Sequence, residues 1–402
     1  MRPLTICVVL GALALPAVAG AAPVAVSPRT VEANPVSLAF DATGDGLASW
    51  RGLSGTADTS RPYHALAART PAGEWQPTVT LPRTVLMHDV ALFGADRVAL
   101  VTEREQPAGK ARTRSLISLQ LGTAVPLMLG PPRVLYRGPR RHVGYDGPHP
   151  TAFSPLVGVS DTGTMVVAWG RASGIWALVG KHVRRLGPFG HSPSLHLAPD
   201  GFGLLTWRRG SLILARVRSA SGRWGRIERV ARIGRYSEAP PVSSAGADGR
   251  FAVGLTEITR SMSGVHWVST LHTRQGGWRA KRLESRTFVP TGATTYVTDN
   301  LQTLVTMTTD GQFHVAWPGR FGNDVALDAI APGPSGAWAA TWFNGSPHLT
   351  EQGSQTTSGF ATERSLAGSR VVYDPLTGQP VVIWSQGEAN AGFQIVAGAG
   401  GD

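Results

Sequence analysis

His191 to Gly234 reads HSPSLHLAPDGFGLLTWRRGSLILARVRSASGRWGRIERVARIG. Ser194 to Leu197 alternates polar and apolar residues, Ala198-Pro199-Asp200-Gly201 is turn chemistry, and Leu204 to Trp207 is a short apolar run closed by Arg208-Arg209. Leu212 to Val217 makes a third strand, Ser219-Ala220-Ser221-Gly222 a second tight turn, and Trp224 to Ile233 a fourth, charge-rich strand. A meander of four short strands cannot bury both of its faces, so it has to stack against copies of itself.

The copies are legible along the chain. Val36 to Phe40, the turn Asp41-Ala42-Thr43-Gly44-Asp45-Gly46, Leu47 to Trp50, His64 to Arg69 and Trp75 to Leu81 repeat the pattern. A worn unit without its Trp follows at Val85 to Leu121, and a clear one at Leu156 to Leu186. Further turn-plus-strand signals start at Pro241, Thr294, Gly333 and Val371, the sixth holding Thr303 to Met307 and Phe313 to Trp317, which makes eight units with the quoted one. The last unit lacks a fourth strand, while Ala25 to Val31 is a strand with no unit of its own. The pattern therefore predicts that the N-terminal strand completes the final unit and removes the open edges of a linear stack. The expected fold is all-β: one closed ring of eight four-stranded antiparallel blades, or seven if the worn second unit is an insertion.

Residues 1–22 read as a secretory signal, with Arg2, the apolar run Leu4 to Ala19 and Ala19-Gly20-Ala21 as an A-x-A cleavage site. The apolar run is short for a membrane span and contains Pro16, which sets aside the alternative of an uncleaved anchor. Residues 23–402 are then one secreted, extracytoplasmic domain with no membrane span. The only cysteine, Cys7, lies inside the signal, so the mature domain has neither disulfides nor thiolate ligands. Net charge is +12, and Val101 to Pro290 concentrates it, with 28 Lys+Arg against 10 Asp+Glu.

The stretches Asp161 to Trp169, Asp200 to Trp207 and Asp374 to Trp384 carry a resemblance to secreted bacterial β-propellers, in which an Asp-x-x-Gly or Asp-Gly turn precedes an apolar strand ending in Trp. The resemblance implies the fold and leaves the function open. The Trp-Asp pairs of WD-repeat propellers are absent, and the paired glycines of kelch blades occur only at Gly276-Gly277. Likeness to sialidase-like propellers is loose, since Trp169 lies six residues past Gly163 and a Phe-Arg-Ile-Pro stretch is missing.

Repetition of Trp50, Trp169, Trp207, Trp342 and Trp384 at one register assigns them to packing between blades rather than to sugar stacking, and Trp75, Trp224 and Trp278 at the start of outer strands are structural as well. Asp41 and Asp45 belong to turns, not to a calcium site, because two carboxylates fall short of the six to eight oxygens that calcium takes. Metal and cofactor are expected to be absent, and no H-E-x-x-H, G-x-S-x-G or phosphate-loop pattern occurs.

What remains is arginine. The link Tyr136 to Pro155 is the least repeat-like segment, and Arg137, Arg140, Arg141, His142 and Tyr145 within it, with Arg208 and Arg209 from a neighbouring link, form the expected centre of an anion-recognition patch near the channel mouth. Two sources of positive charge without binding compete: Arg223, Arg226, Arg229 and Arg232 protect an outer strand edge, and the skew of 35 Arg to 3 Lys is compositional. The reading that follows is an exported, monomeric, non-catalytic binding or scaffold protein for an acidic polysaccharide, a cell-envelope polymer or a protein, not for nucleic acid. The alternative is a sialidase-like glycoside hydrolase or polysaccharide lyase, which needs several Arg, a Tyr and a carboxylate converging in one pocket.

Overall fold

The computed structural model describes residues 24–30, 32–54, 61–107, 113–139, 154–171, 173–234, 241–246, 249–261, 264–274, 276–288, 303–307, 313–321, 324–332, 338–342, 349–350, 370–376, 379–388 and 392–399. These residues form seven antiparallel sheets, and the fold is an all-β propeller. In chain order the first sheet is Glu32–Phe40, Gly46–Ser54, Arg61–Arg69 and Val79–Thr80. The second is Val85–Phe93, Arg97–Pro107, Thr113–Thr123 and Arg133–Pro139, with Met128–Leu129 added beside Thr113–Thr123. The third is Leu156–Val159, Met165–Arg171, Gly174–Val179 and His182–Gly187, and the fourth His191–Leu197, Gly203–Arg209, Leu212–Arg218 and Trp224–Arg232. The fifth is Val242–Ala245, Phe251–Ser261, Gly264–Arg274 and Trp278–Phe288. The sixth is Leu304–Met307, Phe313–Phe321, Asp324–Pro332 and Trp338–Trp342, with Leu349–Thr350 added beside Asp324–Pro332. The seventh joins Arg370–Asp374, Gln379–Glu388 and Gly392–Ala399 to Val24–Ala25.

The expectation of eight four-stranded blades, or seven, is corrected. Five sheets are blades of four antiparallel strands and two carry a fifth short strand. The surplus arose at the sixth and seventh predicted units, which are one sheet: Asp324–Pro332 pairs with Trp338–Trp342 as its third and fourth strands, and Gly333-Pro334-Ser335-Gly336 lies outside the described residues. Thr294 to Val297 and the turn Asp299-Asn300 lie outside the described residues. The second unit is no insertion but a full sheet whose missing Trp is offset by aliphatic packing of Val98, Leu100 and Leu92 against Leu47 and Leu66. The N-terminal strand does pair with the final sheet, through Val24↔Ala397 and Ala25↔Val396.

The first strand of each sheet is the innermost. Glu32–Phe40 lies beside Val85–Phe93, that beside Leu156–Val159, and so on through His191–Leu197, Val242–Ala245, Leu304–Met307 and Arg370–Asp374, which is itself a neighbour of Glu32–Phe40. Tryptophans of the second strands fill the interfaces between sheets. Trp50, Trp169 and Trp207 are fully buried, packing respectively on Ile383 and Ile395 of the seventh sheet, on Ile117 and Leu119 of the second, and on Ile175 and Ala177 of the third. Burying such a ring contributes about 4 kcal/mol. The indole N–H groups of Trp169 and Trp207 have no partner among the described residues, so the apolar fit outweighs an unmet donor costing about 1–3 kcal/mol. The side chains of Trp342 and Trp384 lie outside the described residues.

Turn chemistry follows the sequence. Gly44, Gly163 and Gly201 take φ of +84°, +76° and +90° in equivalent turns, a region that L side chains resist. Asp41 Oδ1 accepts from the Thr43 and Asp45 N–H groups at 2.9 and 3.1 Å, and its Oδ2 accepts from the Asp96 N–H at 2.8 Å. This turn carboxylate is therefore engaged by donors, as a turn Asp should be. Between the fifth and sixth sheets the backbones touch at Gly254, where an added Cβ would stand 2.2 Å from the Thr303 carbonyl oxygen. Gly254→Ala is expected to cost about 1–3 kcal/mol, read as a lowered urea midpoint, because backbone on backbone cannot relax cheaply. A midpoint equal to that of the parent would refute the close approach.

Candidate functional site

A cavity of about 520 Å³ is lined by residues of all seven innermost strands. Its polar lining includes Asp41, Asp89, Asp161, His196 and Arg370. Asp89 ties three sheets together: its carboxylate accepts a short hydrogen bond from the Ser37 hydroxyl of the first sheet and another, at 2.9 Å, from the Val157 N–H of the third. Burial raises its pKa, and those two hydrogen bonds and the positive charge of Arg370 partly offset the rise. The Arg370 Nε donates to the Val36 carbonyl at 2.6 Å, and burial lowers its pKa to about 10. His196 Nδ1 accepts from the Ala245 N–H at 3.0 Å, which places the ring proton on Nε2, and burial pulls its pKa down to about 4. The polar groups of this cavity are thus largely spent on joining sheets. No tyrosine is among its described lining residues.

Of the residues predicted to form an anion patch, Arg137, Arg208 and Arg209 fall among the described residues. Arg137 is exposed on the outermost strand of the second sheet, paired with Leu116. Arg140, Arg141, His142 and Tyr145 lie outside the described residues. Arg209 is exposed, but its neighbour Arg208 points the other way, as strand alternation requires, and is buried with Nε on the Gly210 carbonyl at 2.9 Å and Nη2 on the Gly234 carbonyl at 3.3 Å. Arg208 clamps backbone carbonyls, and of this pair only Arg209 is exposed.

Two arrangements go beyond the sequence reading, which had Arg223, Arg226, Arg229 and Arg232 only as edge protection of one outer strand. Arg171 stands against three rings, with its Cζ 4.4 Å from the Tyr136 centroid, 4.6 Å from Trp176 and 5.3 Å from Trp169. The Trp169↔Trp176 pairing across adjacent strands was the available signal. The second is a basic rim on the outer strands of three successive sheets. Lys181, Arg184 and Arg185, then Arg223, Arg226, Arg229 and Arg232, then Arg279, Lys281 and Arg282 are all exposed. Behind Arg184, burial and then repulsion from that residue lower the pKa of Arg216 and of Arg218. Charge of one sign is therefore concentrated where no carboxylate among the described residues pairs with these three arginines.

No protein-family profile matches the chain, and no curated protein matches it. Among solved structures, an α-L-arabinanase of Penicillium chrysogenum complexed with arabinobiose is similar at a TM-score of 0.46 and 11% identity, covering 94% of this chain and 98% of its own. The NanB sialidase of Streptococcus pneumoniae follows at a TM-score of 0.44 and 12% identity over 94% of this chain and 70% of its own. The Aleuria aurantia lectin in complex with Fucα1-6GlcNAc gives a TM-score of 0.42 and 10% identity over 83% and 99%. At such scores the likenesses carry no argument about activity or ligand, and the propeller assignment rests on the sheets themselves.

Proposed function

We propose that the chain is an exported, non-catalytic propeller, its sheets closing into a ring, that binds an acidic glycan or cell-envelope polymer on its basic rim. The observation that carries this reading is the run of ten exposed Lys and Arg side chains on the outer strands of the third, fourth and fifth sheets and the turn residues just ahead of two of them. Of the two acids on those strands, Glu228 is held by Arg274 of the next sheet. Edge protection alone asks for isolated charges on each outer strand. Continuity across three sheets instead offers a polyanion one surface to follow, at guanidinium groups suited to carboxylate, sulfate or phosphate. Arg137 and Arg209 add exposed charge, whereas Arg208 does not. The enzyme alternative draws no support from the cavity, whose described lining supplies one arginine and no tyrosine.

The test is binding of the mature protein to polygalacturonate and to teichoic-type polymer across a salt series. Affinity is expected to fall steeply with salt, because exposed charges are screened within about 10 Å at 0.1 M. A variant with Arg223, Arg226 and Arg229 changed to Ala should bind at least about tenfold more weakly with a shallower salt slope. A second variant with Arg137, Arg140 and Arg141 changed to Ala measures the contribution of the long link. Salt-independent binding, or full affinity in the Arg223/Arg226/Arg229 variant, removes the rim from the account.

A further inference from the structure

Sheet register makes positions in neighbouring blades comparable one by one. Trp169↔Trp176 in the third sheet corresponds to Trp207↔Leu214 in the fourth, and one residue further along the third strands Ala177 pairs with Arg184 while Ala215 pairs with Glu228. Arg184 therefore occupies the place of Glu228. At the far end of the third strands, Gly203↔Arg218 corresponds to Phe251↔Arg274, and the residues paired with those arginines across to the fourth strands are Trp224 and Trp278.

Between the fourth and fifth sheets this set is complete. Glu228 Oε2 accepts from Arg274 Nε at 2.8 Å and from the Trp278 indole N–H at 3.0 Å, and Oε1 accepts from Arg274 Nη2 at 2.9 Å. Between the third and fourth sheets the same two donors, Arg218 Nε and the Trp224 indole N–H, are buried and have no partner among the described residues. Arg218 itself is 4% exposed, with Nη1 on the Gly201 carbonyl. In place of a carboxylate stands the guanidinium of Arg184, which reaches only the Gly222 carbonyl at 3.3 Å. Arg216, on the same strand face, spends Nε and Nη1 on the carbonyls of Gly225 and Leu186 at 2.7 and 2.6 Å. Three guanidinium groups thus surround a position from which the carboxylate of the neighbouring interface is missing.

We propose that this position between the third and fourth sheets is a binding site for a carboxylate-bearing ligand, held by Arg218 Nε and the Trp224 indole N–H and covered by Arg184. A carboxylate is favoured over a tetrahedral anion because the equivalent donors already hold one at Glu228, and a planar pair of oxygens matches the guanidinium fork. Arg184 is exposed, so it can leave the Gly222 carbonyl and close over the ligand. The site goes beyond the polymer reading, since it takes one carboxylate whatever carries it.

Thermal unfolding of the mature protein tests it, in acetate, glucuronate, oligogalacturonate, sulfate and phosphate against chloride at matched ionic strength. Carboxylates are expected to raise Tm in a saturable way, and sulfate and phosphate to raise it less. Stabilisation by acetate assigns a free carboxylate and stabilisation by oligogalacturonate alone a polymer-borne one; either upholds the site. Arg184→Glu restores the internal acid, so it should raise Tm by about 2 °C without any added anion and abolish the carboxylate response. Trp224→Phe, a milder change, should leave Tm in chloride near that of the parent and raise the half-effective carboxylate concentration about tenfold, a single lost hydrogen bond to a charged group. A parent indifferent to carboxylates, an Arg184→Glu protein that still responds to them, or a stronger response to phosphate overturns the assignment. The rim variant at Arg223, Arg226 and Arg229 leaves these donors intact, so failure of polymer binding and failure of this site are separable.

Discussion

Between pH 7 and pH 4.5 the protein is expected to lose several kcal/mol of stability, through histidines that are held neutral inside the fold. His64 and His88, from the first and second sheets, face each other with Nδ1 atoms 2.8 Å apart and rings edge to face at 4.9 Å. One Nδ1 must donate and the other accept, so the pair is lost once both rings are charged, and burial opposes charging either one. Burial first, then Arg51, lowers His64 to about 4; burial, then His64 and Arg51, holds His88 well below 6.5. Burial also lowers His196 and His272 to about 4. The unfolded chain takes up these protons near pH 6.5, whereas the folded one resists them until about pH 4, so stability is full above the unfolded value and drains as pH falls through that window. Allowing for partial solvent access, each ring with a value near 4 accounts for about 1–2 kcal/mol by pH 5. Urea midpoints at pH 7.5, 6.5, 5.5 and 4.5 measure the effect, and a flat profile would refute it. Replacing both His64 and His88 by Leu should flatten part of the slope, since removing both partners of a buried hydrogen bond leaves no orphan.

Asp89→Ala is the second large effect, at about 3–5 kcal/mol. It deprives the Ser37 hydroxyl and the Val157 N–H of their acceptor and takes from half-buried Arg370 a nearby negative charge. Asp89→Asn keeps one acceptor and loses the charge, so about 1–3 kcal/mol is expected. Because Asp89 joins the first, second and third sheets, the loss should appear as a lower urea midpoint with unchanged polymer affinity on the distant rim. A cost below about 1 kcal/mol for the Ala variant would show that apolar packing alone holds these sheets together.

Much of the architecture was written in local sequence. Leu212 to Val217 and Trp224 to Ile233 form strands within one residue of the predicted bounds, because apolar alternation and flanking turn residues act within a few positions. The blade count was not, because a Gly- and Pro-rich stretch ahead of an apolar run reads the same before a first strand as before a fourth. Only the pairing of Asp324–Pro332 with Trp338–Trp342 distinguishes the two. Composition located the positive charge in the middle of the chain. It could not separate Arg208, buried against carbonyls, from Arg209, exposed beside it, since that depends on which strand face meets the next sheet.

The sequence by itself thus determined an all-β repeat with tryptophans between its blades, since periodicity, turn residues and apolar runs are properties of neighbours in the chain. The tertiary structure alone decided which charges have partners. Glu228 finds Arg274 46 residues away, while Arg218, at the equivalent position of the preceding sheet, finds Arg184. The difference is one of register between sheets, which sets side chains from separate repeats at bonding distance and which no local pattern records.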